Sequence, residues 1–254
     1  MTTTFDLTND ALPSFASLQD ARIQVFSTKH SRESLEDLVS NLPPEGELGR
    51  RKGLGMWILG RFEEAAALLP PHISDDVASF TLAMAYMQVE RWADAQPIFQ
   101  RLSNAYPEEP RPRAGALEAR LEVHLATGAP AEEITESLRA EIATTPDAFQ
   151  QSAEGLHLAG RLFEAERKWE EAIECYEDSS DISLAHRKNL FHLGRLAERF
   201  GLDETALEAY QALVALRPAQ RNAMMNLGML YEDLGRDQEA ASCYDSIVKA
   251  SPTD

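Results

Sequence analysis

Residues 160–176 read GRLFEAERKWEEAIECY, residues 194–210 read GRLAERFGLDETALEAY, and residues 228–244 read GMLYEDLGRDQEAASCY. The three stretches are spaced 34 residues apart, and each has a glycine first, an alanine in its second half and a tyrosine last. The residues that repeat in this way are Gly160, Gly194 and Gly228, then Ala172, Ala206 and Ala240, then Tyr176, Tyr210 and Tyr244. A fixed period of this length indicates stacked supersecondary units that bury their apolar faces only against their neighbours.

Each unit predicts two helices joined by a turn. In the middle unit, Leu190, Leu193 and Ala197 lie at the i, i+3 and i+7 positions of one helical face. The turns between the paired helices are predicted at residues 167–168, Gly201 and Gly235. A glycine inside a helix costs about 1 kcal/mol relative to alanine. The glycine ladder, which consists of Gly160, Gly194 and Gly228, therefore predicts that a neighbouring backbone approaches closely, as in a tight helix pair.

The blocks that begin at Ala153, Arg187 and Arg221 resemble the tetratricopeptide repeat (TPR). They share a large residue, a Leu-Gly pair, an aromatic residue, a later alanine, a second aromatic residue and a closing proline. The positions that depart from this pattern are Ala159, Ser179, Leu184 and Ala197. The resemblance implies an all-α fold, a right-handed α-solenoid of antiparallel helix pairs that wind into a TPR superhelix.

The chain before these blocks repeats less regularly. Residues 76–109 match the repeat best, whereas residues 110–146 indicate a degenerate repeat and residues 46–70 a shortened one. The predicted divisions are N-terminal capping helices at 1–45, irregular TPR-like repeats at 46–152 and three regular tandem repeats at 153–254. We expect a single elongated domain overall, because a repeat array grows lengthwise.

Composition excludes several classes of partner. The chain has 42 acidic and 24 basic residues and a net charge of -18. Such a charge repels nucleic acid and anionic membrane surfaces, so neither is predicted as a partner. The sequence contains no apolar run of the length that spans a bilayer and no signal peptide, which predicts no membrane insertion and a cytoplasmic location.

The residues that could carry catalysis lack the spacing that catalysis requires. Gly53, Gly55 and Gly60 do not complete a dinucleotide-binding fingerprint, because the third glycine is missing at Ile58 and no strand precedes them. The six histidines have no metal-ligand spacing, and no nucleophile motif is present. We therefore predict a protein that is not an enzyme and that uses no cofactor and no metal.

A charge pattern suggests a binding surface. Residues 130–185 contain fourteen acidic and four basic residues, whereas residues 186–221 contain six basic and four acidic residues. The TPR resemblance implies that the first helices of the blocks line a concave groove. The residues predicted to face that groove and bind a peptide are His157, Arg161, Lys188, His192, Arg195, Arg199, Asn222 and Asn226.

Two interpretations of these cations are open. Arginine presents a planar fork suited to carboxylates, so the groove would bind an acidic segment or a free C-terminal carboxylate of a partner. Alternatively, the cations only balance the neighbouring acidic helices through internal ion pairs. In the family members that bind chaperone tails, Lys, Asn, Asn, Lys and Arg clamp the terminal carboxylate. The matching positions here hold His157, Arg161, His192, Asn222 and Asn226, so that clamp is not present.

The groove positions of the repeat at 76–109 are apolar. They include Phe80, Met84 and Met87, which would suit a partner helix because methionine adapts its shape to what it contacts. The alternative is that the N-terminal helices before Gly46 fold over this patch and bury it.

These observations predict a non-enzymatic scaffold or adaptor for protein–protein interaction that binds a peptide or a helix in its groove. The first alternative is a self-assembling structural scaffold. The array stops after the second helix of its last repeat, so Tyr244, Ile247 or Val248 could contribute to contact between copies. The second alternative is a regulatory subunit of an enzyme.

Overall fold

Helices are the regular elements of the computed structural model, which describes residues 21–22, 24–26, 28–184, 186–216 and 221–250. The α-helices from residue 29 onward are α1 (Lys29–Asn41), α2 (Gly46–Leu59), α3 (Phe62–Leu68), α4 (Asp76–Gln88), α5 (Trp92–Ala105), α6 (Pro110–Ala126), α7 (Ala131–Ile142), α8 (Asp147–Gln150), α9 (Ala153–Ala165), α10 (Trp169–Ile182), α11 (Arg187–Arg199), α12 (Asp203–Leu216), α13 (Arg221–Asp233) and α14 (Asp237–Ala250). A short 3-10 helix, Pro70–His72, follows α3.

The chain divides into two compact units, Met1–Ile134 and Thr135–Asp254. In the first unit, α2 pairs with α3, and Gly60 ends α2 in the left-handed conformation with φ 85°. The Arg22 guanidinium lies 4.7 Å from the ring centre of Trp57 and 5.3 Å from that of Phe62. This contact attaches the helical residues at 21–22 to the α2–α3 pair. The single elongated domain stays a prediction.

The second unit contains the three regular helix pairs, α9–α10, α11–α12 and α13–α14. The prediction of antiparallel helix pairs is confirmed. Tyr176 of α10 packs with Leu193 and Leu196 of α11 and with Ala209 of α12. Because each apolar cluster draws residues from two successive pairs, a single pair could not bury its own core.

The glycine ladder has a different cause from the one predicted. A Cβ atom built at Gly194 would lie 2.6 Å from Cε1 of Tyr210, and one at Gly228 would lie 2.6 Å from Cε1 of Tyr244. Gly160 has the same relationship to the ring of Tyr176. The prediction that a neighbouring backbone needs the space is therefore wrong. The space is taken by the tyrosine ring of the paired helix.

The turns between paired helices place one residue in the left-handed region. Gly201 and Gly235 have φ values of 69° and 68°, and the equivalent residue of the preceding pair is Arg167, with φ 61°. Glu90 lies at the same point of the α4–α5 pair and has φ 60°. The turn conformation is thus shared although only two of the four residues are glycine.

Ser179 departs from the repeat pattern because it makes a bond that an aliphatic residue could not. Its buried hydroxyl donates to the backbone carbonyl of Ala153 at 2.8 Å, which ties α10 to the beginning of α9. Across the described part of the chain, the helices are too short or too polar to cross a membrane.

Candidate functional site

A tyrosine–glutamate pair recurs in the three regular repeats. The Tyr176 hydroxyl donates to Glu164 at 2.7 Å, and the Tyr210 hydroxyl donates to Glu198 at 2.8 Å. In the last repeat, Tyr244 donates to Glu232 at 3.0 Å. Each glutamate lies one helical turn after the ladder glycine of its own first helix. The ring therefore fills the notch above the glycine while its hydroxyl reaches the glutamate.

Glu164 collects more donors than its Tyr176 partner alone. Arg161 donates to it from one turn earlier on α9 at 3.0 Å, and His192 of α11 approaches it through Nδ1 at 3.0 Å. Arg195 of α11 donates to its other oxygen. The Glu164 side chain is only 11% exposed. Glu164 thus joins two successive first helices through a partly buried ion-pair network.

The environment of this network shifts the acidity of its members. Burial would raise the pKa of Glu164, but the hydrogen bond and charge of His192, the charge of Arg161 and the hydroxyl of Tyr176 together hold that pKa well below its ordinary value. Burial and the neighbouring Glu164 charge raise the pKa of Tyr176 well above its usual range. The carboxylate is therefore ionised and the phenol is neutral at physiological pH.

His157 does not face an open groove. It is 4% exposed, and its Nδ1 lies 3.2 Å from Oδ1 of Asn189 on α11. The prediction that it lines an open binding surface is corrected by this burial, which follows because its position on α9 packs against the next repeat. Burial, together with nearby positive charges, lowers the pKa of His157 well below the usual value for histidine.

The remaining predicted residues of the second unit differ in exposure. The Arg195 side chain is 53% exposed despite its ion pair, whereas those of Arg161 and His192 are 13% and 19% exposed. Lys188 is half-buried and Asn222 is exposed. Their role in binding a peptide stays a prediction.

Two of the residues predicted to bind a peptide contact aromatic side chains of the protein itself. The Arg199 guanidinium lies 4.9 Å from the ring centre of Trp169 and 5.8 Å from that of Phe200. Asn226 donates to the Tyr210 hydroxyl at 3.3 Å and is half-buried. Both side chains therefore already stabilise the repeat packing.

The apolar residues proposed for the N-terminal end of the groove are mostly inside the first unit. Phe80 is 5% exposed and packs edge to face against Phe99, with ring centres 5.8 Å apart. Met87 is 7% exposed, while Met84 is half-buried. The prediction of an open apolar surface is corrected for Phe80 and Met87, because the sequence pattern cannot distinguish a groove face from one that other helices cover.

Met225 and Met229, one turn apart on α13, stand at the groove positions that His157 and Arg161 occupy on α9, and both are exposed. Sequence reasoning missed the glutamate that recurs at residue 164 and at the two positions 34 and 68 residues later, because its role is evident only when the tyrosines lie beside it. Among the residues that the structure describes, no histidine, cysteine and carboxylate side chains are arranged to hold a metal ion.

The chain is similar in fold to several solved structures. The APC/C hetero-tetramer Cut9-Hcn1 matches with 12% identity and a TM-score of 0.55, over 95% of this chain and 47% of the other. MamA matches with 17% identity and a TM-score of 0.45, over 67% and 95% of the two chains. YrrB, described as a TPR protein with an unusual peptide-binding site, matches with 14% identity and a TM-score of 0.43, over 76% and 93%. At 12% identity the likeness to Cut9-Hcn1 shows the fold alone.

No curated protein matches this chain significantly. One tetratricopeptide-repeat family model matches residues 80–149 and 191–254, which together exceed half of the chain, and a second matches residues 156–187. Arrays of this kind are in general scaffolds for protein interaction, with protein or peptide partners, rather than catalysts. The repeat spacing, the packed helix pairs and these matches agree that the chain belongs to the tetratricopeptide repeat family.

Proposed function

We propose that this protein is a non-enzymatic interaction scaffold or adaptor that binds an acidic peptide or helix of a partner protein along the first helices of its regular repeats. The observation that carries the proposal is the position of Arg195. Its side chain is 53% exposed at the surface of α11 although it already contacts Glu164. A guanidinium has five N–H donors, so one ion pair leaves donors for a ligand carboxylate.

The charge around Arg195 supports an acidic ligand. Arg161 and Arg195 bring two positive charges to Glu164, which supplies one negative charge. Lys188 lies near enough on α11 to act electrostatically on His157. The cluster of Glu164 and these three cations is therefore net positive on a chain whose total charge is -18. A local field of opposite sign steers and selects an anionic partner.

The neighbouring first helix offers a different kind of contact. Asn222 and the two methionines Met225 and Met229 are exposed on α13. Amides suit peptide backbone groups, and thioethers adapt to apolar side chains. A ligand that carries an acidic residue followed by apolar residues fits both helices.

A peptide-display library selected on the full chain tests this proposal. We expect the selected peptides to be acidic and to bind at least about tenfold more weakly to Arg195→Gln, with a similar weakening when salt is raised from about 0.05 to 0.5 M. Arg236→Gln is the matched control, because Arg236 is 43% exposed and pairs with Glu239 at a helix turn. Selected peptides that lack acidic residues, or that bind Arg195→Gln as tightly as the unmodified chain, would contradict an acidic ligand.

Self-association is the second candidate, and the exposure of Val248 favours it. The Val248 side chain on α14 is 64% exposed, whereas Ile247 is 8% exposed and so offers little surface. Tyr244 is half-buried and already bonded to Glu232. If copies associate through this face, Val248→Glu lowers the sedimentation-derived mass at high concentration, and the equally apolar control Ile182→Glu, 55% exposed on α10, does not. Equal masses for all three proteins would exclude this interface.

Two finer predictions rest on the sequence alone. They are a cytoplasmic location and, as a further alternative, a role as the regulatory subunit of an enzyme. Fluorescence microscopy of a tagged chain tests the first, and identification of a co-purifying enzyme whose rate changes on addition of this protein tests the second.

A further inference from the structure

Three imidazole rings pack together where α9 meets α11. The ring centre of His157 lies 4.5 Å from that of His186 and 5.6 Å from that of His192. The ring of Tyr176 lies 5.6 Å from His157 on another side. The three histidines are separated in sequence, so the stacking of one repeat on the next brings them together.

The hydrogen bonds around Asn189 determine where His157 carries its proton. The Asn189 amide nitrogen donates to the Tyr176 carbonyl at 2.7 Å and to the Ser180 hydroxyl at 2.8 Å. Its amide oxygen is therefore the group that faces His157, and it can only accept. Nδ1 of His157 thus carries the hydrogen, and Nε2 is a bare lone pair. Nε2 is buried and has no hydrogen-bond partner.

The other two histidines are tied to different partners. His186 Nδ1 accepts the backbone N–H of Asn189 at 3.1 Å, at the beginning of α11. His192 Nδ1 faces the ionised carboxylate of Glu164 at 3.0 Å and so donates to it. His157 is the member of the cluster that lies deepest, with 4% of its surface exposed.

A second proton on His157 would have to reside on this buried Nε2. The charged groups that act on it most strongly are His186, His192, Lys188 and Arg161, which are cationic or become so on protonation. Arg161 lies on α9, Lys188 and His192 lie on α11, and His186 directly precedes α11. From α10, the ring of Tyr176, whose phenol is neutral, packs against His157. The ionised carboxylate of Glu164, on α9, offsets part of this positive charge, but it is already bonded to Arg161, His192 and Arg195. A further positive charge that is buried beside these cations is strongly unfavourable.

We propose that the cluster of His157, His186 and His192 is a pH-sensitive junction, which holds α9 against α11 while His157 is neutral and loosens this packing when His157 takes up a second proton. The folded chain resists that proton, whereas the unfolded chain accepts it near pH 6.5. Stability from this site is therefore complete above about pH 6.5 and is lost as the pH falls below it.

The junction joins the two helices that carry part of the predicted binding surface. Asn189 and Glu164 link the same two helices that carry Arg161 and Arg195. Loosening of the junction would separate these cations and weaken ligand binding at mildly acidic pH. Only this consequence rests on the proposed function, because the junction itself is a property of the fold.

The test compares thermal and denaturant unfolding of the full chain with that of His157→Phe between pH 7.5 and 5.0. Phenylalanine is the matched replacement because Phe191 occupies the equivalent position of the next repeat, where it packs half-buried. We expect the unfolding equilibrium constant of the unmodified chain to rise by up to about tenfold per pH unit below pH 6.5, relative to His157→Phe. His30→Gln, at an exposed histidine, should follow the unmodified chain.

Amide hydrogen exchange shows which helices lose their packing at acidic pH. Once exchange rates are corrected for their intrinsic pH dependence, α9 and α11 should lose protection at pH 5.5 in the unmodified chain and keep it in His157→Phe. If His157→Phe does not fold, His157→Gln retains a donor to Asn189 and takes its place. Parallel pH dependence in the unmodified chain and the variant, or loss of protection spread evenly over the second unit, overturns the proposal. Neither outcome depends on any ligand.

Discussion

The ring of Tyr210 occupies the space that a side chain at Gly194 would need, with Cε1 2.6 Å from the position of the missing Cβ. The hydroxyl of the same ring donates to Glu198, one helical turn further along α11. Glycine, glutamate and tyrosine thus form one unit that fixes the distance and the angle between the two helices of a repeat. The unit recurs in each of the three regular repeats.

Gly194→Ala should destabilise the protein by about 1–3 kcal/mol, because the added methyl group overpacks a filled notch, although alanine favours the helix more than glycine does. Urea unfolding gives the free energy. The double variant Gly194→Ala/Tyr210→Leu provides the control, since removal of the ring should relieve the clash and make the combined loss smaller than the sum of the single losses. Strict additivity would show that the two residues do not compete for space.

Tyr210→Phe should cost about 1 kcal/mol, because the fully buried ring loses its bond to Glu198 and leaves Asn226 without its acceptor. Tyr244→Phe removes the equivalent hydroxyl at a more exposed position and should cost less. Thermal unfolding of the two variants side by side measures the difference. Equal losses would mean that burial does not strengthen this bond.

Arg167→Gly should stabilise the protein by about 0.5–1 kcal/mol. Arg167 holds a φ of 61°, a conformation that costs an L-residue roughly 1–2 kcal/mol, and glycine adopts it freely but loses more backbone entropy on folding. Gly201→Ala, at the equivalent turn with φ 69°, should destabilise the protein by a similar amount. Denaturant midpoints test both changes. A loss of stability in Arg167→Gly would reveal a structural role for the arginine side chain.

Glu164 should make the protein sensitive to strong acid. Its pKa is lower in the folded than in the unfolded chain, so its contribution is complete above about pH 4.5 and is lost as the pH falls below that value. Glu164→Gln should cost about 1–3 kcal/mol at pH 7, because Arg161, Arg195 and His192 lose a shared charged partner. The same variant should show a flatter stability profile between pH 4.5 and 3 than the unmodified chain.

Glu198→Gln is the control for this acid effect, since Glu198 also accepts from a repeat tyrosine, whereas Arg161, His192 and Arg195 all bond to Glu164. Its stability profile below pH 4.5 should resemble that of the unmodified chain. A profile for Glu164→Gln that is as steep as that of the unmodified chain would show that other carboxylates govern acid unfolding.

The sequence by itself determined the repeat, its phase and its helix pairs. These features have local causes that act over a few residues. Examples are the helical spacing of Leu190, Leu193 and Ala197 and the turns at Gly201 and Gly235. Because the period is constant, the same pattern occurs three times and is easier to recognise. The same repeat pattern predicted an interaction scaffold, and the match to the tetratricopeptide-repeat family supports that general class of function.

Only the tertiary structure decided which side chains are accessible and which are bound to each other. His157 and Phe80 occupy positions that the repeat pattern assigns to a groove, yet both are buried. Glu164 is one of many glutamates in the sequence, and it becomes the centre of a network only when α11 brings His192 and Arg195 against α9. Periodicity reports the direction of a side chain relative to its own helix, whereas burial and charge pairing depend on what neighbouring helices place beside it.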